Sequence, residues 1–176
     1  KEMKFNLNEA CSILERTPAL LDELLHDLPD EWIMGNEGPD TFSPFDVLGH
    51  LIHGEKTDWI IRTKWILEKG TTAPFEPYDR FAQARESEGK TLQQLLEEFS
   101  LLRQENLAWL RSQEWQEEDY EKRGLHPVLG EVTLRNLLST WVVHDLTHIA
   151  QVTRVMAKQY SGEIGPWSSF FRILNF

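Results

Sequence analysis

The chain has 176 residues, 40% of them apolar, with 18 Lys+Arg against 29 Asp+Glu and a formal net charge of −11. The length suits one domain, taken as 1–176, and the 1 cysteine excludes an internal disulfide scaffold, a four-cysteine zinc finger and an iron–sulfur site. The acidic balance, with no Lys/Arg cluster, argues against nucleic acid or an anionic membrane as the main partner.

Taken in order, the elements read as helices. Thr17-Pro18 is a helix start, because threonine can cap free amides and proline is tolerated in a first turn. Leu20, Leu21, Leu24, Leu25 and Leu28 form the stripe that follows, and Pro29 stops it. An earlier turn over 8–14 is joined or kinked into this helix at Pro18. Ser43-Pro44-Phe45-Asp46 places an N-cap serine, a first-turn proline and an acid at the third helical position, opening a second helix that runs to about Glu68. Its apolar positions include Val47, Leu48, Leu51, Ile52, Ile61, Trp65 and Ile66, and Gly54 within it marks close packing. A long connection over 70–90 leads to a third helix over about 91–113, lined by Leu92, Leu95, Leu96, Phe99, Leu102, Asn106, Trp109 and Leu110. A second, charged connection leads to a fourth helix over about 133–159. Leu134, Leu137, Leu138, Trp141, Leu146, Ile149, Val152, Val155 and Met156 make that helix apolar around much of its circumference, as in a central helix or one with a second interface. The tail carries Trp167, Phe170, Phe171, Ile173, Leu174 and Phe176, and should pack on the bundle or on a partner chain. The resulting fold class is all-α, a four-helix bundle with connections long enough to cross its end or cover a pocket. No run approaches the roughly 18 apolar residues of a membrane span, and Lys1-Glu2-Met3-Lys4 leads into no signal core, so a cytoplasmic location is expected.

The histidines carry the chemical signal. His144 and His148 stand one turn apart on one face of the fourth helix, and His50 lies on the second. Such a pair can offer two imidazoles to one ion, and a third from a facing helix would leave positions for water or substrate. Zinc, nickel, iron and cobalt accept imidazole nitrogen. The same spacing also occurs on packed or solvated helix faces, and the pattern alone leaves both readings open. His144-Asp145-Leu146-Thr147-His148 invites comparison with the H-E-x-x-H metalloprotease motif, but aspartate is one methylene short of the general base. Asp145 could instead orient an imidazole or lie on a solvated face. His53 and Glu55 follow His50 on the second helix and could flank the site, and His126, before the last helix, could reach a pocket mouth. A carboxylate-bridged di-iron bundle wants two Glu-x-x-His pairs, and only Glu23-Leu24-Leu25-His26 fits. No G-x-S-x-G elbow is present, and Cys11 reads as a small buried hydrophobe. Trp65, Trp109 and Trp141 sit at core spacing, Trp59 nearer the edge, and Trp32 and Trp167 could cover an apolar pocket.

Two segments are familiar. Gly124-Leu125-His126-Pro127-Val128-Leu129-Gly130-Glu131-Val132-Thr133-Leu134, followed by Leu137-Leu138 and by Thr140-Trp141-Val142-Val143-His144-Asp145-Leu146-Thr147-His148-Ile149-Ala150-Gln151, resembles the last-helix signature of the DinB-like family, the YfiT-like metalloenzymes. Phe42-Ser43-Pro44-Phe45-Asp46-Val47-Leu48-Gly49-His50-Leu51-Ile52-His53-Gly54-Glu55 resembles that family's second helix. The resemblance runs from Thr17 to about Lys158. It implies an up-up-down-down bundle and one divalent metal on His50, His144 and His148, with zinc or nickel the first candidates and iron, cobalt or manganese also accepted. Relatives include transferases and isomerases that use a low-molecular-weight thiol such as bacillithiol, mycothiol or glutathione. The resemblance therefore implies a metal-dependent enzyme that joins such a thiol to an electrophilic small-molecule substrate, with Asp145, His126, Glu55 or His53 handling protons. A metal-dependent hydrolase and a non-catalytic metal-binding bundle acting in protein association are the alternatives. A homodimer is expected.

Overall fold

Each of the four expected rods is present, but two are built from pairs of helices. In the computed structural model, which describes residues 2–175, the first rod is α1 (Leu7–Leu14) followed by α2 (Arg16–Leu25). Asn6 caps α1, its side chain accepting from Glu9 N at 3.1 Å. The joint falls at Glu15, not at Pro18, which sits buried in the first turn of α2. That helix ends at Leu25 rather than at Pro29, because Asp27 turns into the left-handed region at φ 57°. Pro29 instead heads the short α3 (Asp30–Met34).

The second rod is α4 (Pro44–Thr57) and α5 (Trp59–Lys69). Ser43 caps it as expected: its Oγ accepts from Asp46 N at 3.1 Å, and Asp46 Oδ2 accepts from Ser43 N at 2.9 Å. The rod is broken at Asp58 (φ −105°, ψ −80°), where the sequence pattern ran on unbroken. Hydrogen bonds still cross the joint, from Asp58 N to Gly54 O at 2.9 Å and from Arg62 N to Asp58 O at 2.7 Å. The break accompanies an inward Trp59, 5% exposed, which stacks on Trp141 at 5.8 Å. A Cβ on Gly54 would lie 3.2 Å from Trp59 Nε1, so this glycine does mark close packing.

The 70–90 connection carries α6 (Ala82–Ser87), which lies against α4 where a Cβ on Gly49 would meet Ser87 Oγ at 2.4 Å. The third rod is α7 (Leu92–Ser112), capped by Thr91, and the fourth is α8 (Leu134–Gln159), capped by Thr133. Between them the charged connection forms a 3₁₀ turn (Glu117–Glu121) and a hairpin of β1 (Arg123–His126) and β2 (Gly130–Thr133), with Arg123 opposite Thr133 and His126 opposite Gly130. Gly130, at φ 79°, supplies the turn conformation. Phe75 N donates to Leu125 O at 2.9 Å, tying the 70–81 loop to this hairpin.

α4 packs on α7 and α8, α2 on α7, and α1 on α8. Leu21, Leu48, Leu95, Phe99 and Val152 fill one half of the core, and Leu14, Ile60, Phe75, Leu107, Leu138 and Trp141 the other. Trp65 and Trp109 are only half-buried, so of the tryptophans read as core, Trp141 alone is deep. The tail folds back on α8 through a 3₁₀ turn at Arg172–Leu174. Its Ile173 and Leu174 are half-buried, yet Trp167, Phe170 and Phe171 are exposed. Phe176 lies outside the described residues. Among the described residues no helix is long and apolar enough to cross a membrane.

Candidate metal centre

His50 projects from α4, and His144 and His148 from α8, so helix-to-helix packing brings together imidazoles far apart in the chain. His144 Nε2 stands 3.0 Å from His50 Nε2 and 3.2 Å from His148 Nε2. An ion about 2.1 Å from three imidazole nitrogens, at tetrahedral to octahedral angles, holds them about 2.9–3.4 Å apart, so the spacing fits a transition metal. Among the described residues this is the one group of three such side chains able to hold an ion. An all-imidazole donor set suits zinc, nickel, cobalt or iron.

The outer nitrogens differ. His50 Nδ1 is 2.7 Å from the Tyr78 hydroxyl, and His148 Nδ1 is 2.7 Å from Gln151 Oε1. His144 Nδ1 is buried without a hydrogen-bond partner among the described residues. Phe42 lies against His50 at 5.6 Å and Trp59 against His144 at 5.0 Å. Burial, reinforced by the neighbouring imidazoles, pushes His50 down to about 4 and His144 down to about 3. Burial lowers His148 as well. All three are therefore neutral near pH 7, the state a metal ligand requires.

Behind this cluster lies a residue that sequence reasoning missed. Arg103 of α7, 2% exposed, donates from Nε and Nη2 to Glu55 Oε1 at 3.0 and 2.7 Å. It also donates from Nη1 and Nη2 to Asp145 Oδ2 and Oδ1 at 2.6 and 3.0 Å, and from Nη1 to Leu14 O at 2.7 Å. Glu55 accepts further from Asn106 Nδ2 at 2.9 Å and Trp141 Nε1 at 3.2 Å. Burial alone would lower the Arg103 pKa, and the two carboxylates more than reverse it, so the guanidinium stays charged. Asp145 and Glu55 are thus committed to Arg103. Among the described residues neither is hydrogen-bonded to the three imidazoles, and their geometry is that of a buried clamp rather than of proton carriers. The one signal available was an arginine at an inward position of the third helix's stripe.

The other candidates lie around the cluster. His53 is buried, with Nδ1 3.3 Å from Glu86 Oε1 and its ring 5.1 Å from that of Tyr78. Tyr78 stays protonated, because burial and the nearby Asp58 and Glu86 raise its pKa. His126 Nδ1 accepts from Val128 N and Leu129 N, both at 3.1 Å, so this side chain closes the hairpin turn instead of opening on a pocket. His26 Nδ1 lies 2.6 Å from Asp22 O, which leaves Glu23 and His26 without a di-iron role. Cys11 is buried, and burial pushes its thiol pKa up. A depression of about 750 Å³ runs between α2 and α7 past Pro18, Leu96 and Gln104 and has no histidine in its lining. A smaller cavity of about 140 Å³ lies beside His53, Asp58, Glu76 and Tyr78.

Fold and cluster together define a helical bundle with a three-imidazole centre between two of its rods. The chain belongs to the DinB superfamily, whose family model matches residues 13–152. Among solved structures it is similar to YfiT from Bacillus subtilis, described as a probable metal-dependent hydrolase with an unusual four-helix bundle topology. That likeness has a TM-score of 0.73 at 24% identity and covers 90% of this chain and 90% of YfiT. The present chain has the same all-α bundle topology. No curated protein matched the sequence.

Proposed function

We propose that His50, His144 and His148 hold one divalent transition metal through Nε2, zinc or nickel first, and that the chain is a metal-dependent hydrolase acting on a small molecule. The carrying observation is the convergence of three neutral imidazole nitrogens at 3.0 and 3.2 Å. When bound, such an ion supplies Lewis-acid polarisation of a carbonyl or phosphoryl oxygen and acidifies water. The protein's part is to keep the imidazoles neutral, to hold them on two helices fixed by Arg103, and to wall the centre with Phe42 and Tyr78.

Hydrolysis is placed ahead of thiol transfer because YfiT, a similar structure, is described as a probable metal-dependent hydrolase. A second copy of the chain is the proposed partner, supported by the exposed Trp167, Phe170 and Phe171 of the tail.

Protein purified without an affinity tag should contain about one transition metal per chain, and His144→Ala should abolish it while the helical circular-dichroism signal persists. The loaded protein should turn over an ester, amide or phosphoester in a screen, and lose that activity on chelation. Metal-dependent coupling of a thiol to an electrophile, with no hydrolysis, would restore the transferase reading. Absence of metal after metal-replete expression would remove the centre altogether.

A further inference from the structure

Where the protons sit on the three imidazoles decides how ready the cluster is for an ion. A neutral imidazole carries one N–H, and binding at Nε2 requires that proton on Nδ1. The outer contacts of two of the rings favour that form. Gln151 presents Oε1 2.7 Å from His148 Nδ1, where it can accept from a proton held on that nitrogen. The Tyr78 oxygen, 2.7 Å from His50 Nδ1, can accept in the same way.

Building on the proposed metal centre, we infer that Tyr78 and Gln151 are positioning residues. They hold His50 and His148 in the Nδ1–H form with Nε2 lone pairs turned inward, so two of the three imidazoles are set in the form that binds a cation.

The test uses 15N-labelled, metal-free full-length protein near neutral pH, with long-range 1H–15N spectra of the histidine rings and zinc affinity by chelator competition. Wild type should show the Nδ1–H pattern for His50 and His148. Tyr78→Phe should release His50 alone, Gln151→Leu should release His148 alone, and each should weaken zinc binding about 10–100-fold. Gln151→Glu, which keeps an acceptor, should restore both the His148 pattern and the affinity. Thermal midpoints matching wild type would show that the changes are local. An Nε2–H pattern for His50 or His148 in wild type overturns the inference. So does zinc affinity indifferent to both substitutions, which leaves the metal centre standing. Wild type that takes up no zinc overturns the metal centre itself, a separately recognisable result.

Discussion

The contrast between Asp145 and Leu146 shows how one residue can rewrite a helix face. Apolar spacing put Leu146 inside and left Asp145 free to be solvated, whereas Leu146 is 49% exposed and Asp145 is 0% exposed. The reason is Arg103: a buried guanidinium needs carboxylates, and it draws Asp145 from α8 and Glu55 from α4 into the core. Hydrophobic periodicity cannot report a charge that is buried because another charge is buried with it. Replacing Arg103 with methionine should leave both carboxylates buried and unpaired, at a cost of about 3–5 kcal/mol in urea unfolding. A loss below about 1 kcal/mol would mean that the two acids find other partners or solvent. The histidine triad, by contrast, was legible, because an i,i+4 pair and a third imidazole on a second amphipathic helix already restrict where the nitrogens can meet.

At the scale of elements, capping chemistry was the most readable part and continuity the least. Ser43-Pro44-Phe45-Asp46 opened α4 where expected, but the break at Asp58 depends on where Trp59 stacks, a tertiary contact with no local signature. The hairpin at 123–133 was likewise read as a charged connection, since its strands are four residues each, too short for an alternating pattern to stand out. A Cβ at Gly49 would crowd Ser87 Oγ and Gln83 Oε1 of α6, so Gly49→Ala should turn those side-chain ends aside. The unfolding midpoint should fall slightly, by less than the roughly 1–3 kcal/mol of rigid overpacking. The loop before α4 is tied to α8 by Glu37, which accepts from Arg154 Nε at 2.8 Å and Nη2 at 2.7 Å and pairs with Lys158 Nζ at 2.7 Å. The Arg154 bonds, with help from Lys158, bring the Glu37 carboxyl down to about 2. An unfolded glutamate titrates near ~4.3, so the stabilisation is complete above that pH and fades as the pH falls toward 2. Glu37→Gln should flatten the acid limb of a stability–pH curve in that window and leave its shape near neutrality unchanged.

For the whole molecule, the net charge of −11 argued against some partners but pointed to none, while the length and the helical stripes were enough for the bundle. What the sequence left open was which connections become structure: the 70–81 loop and the 35–43 loop bring Tyr78 and Phe42 onto His50 from separate parts of the chain. An ion held between α4 and α8 bridges residues 94 positions apart, so metal binding should stabilise the fold as a whole. Free zinc at about 100 times its dissociation constant contributes about 2.7 kcal/mol. For a domain of this size that is a rise in melting temperature of roughly 5–10 °C, reversed by chelator and absent in His144→Ala.

The clamp formed by Arg103 has one more consequence. Glu55 shares α4 with His50, and Asp145 is the neighbour of His144 on α8, so a single guanidinium holds the two histidine-bearing helices at a fixed separation. The jaws of the site are therefore spaced before any ion arrives. Loading then requires shedding of the ion's hydration shell rather than a search by the helices for one another, and it should proceed as a rapid, single-phase event. A frame that does not relax also discriminates by ionic radius, favouring an ion that fits the existing gap over one for which the bundle would have to widen.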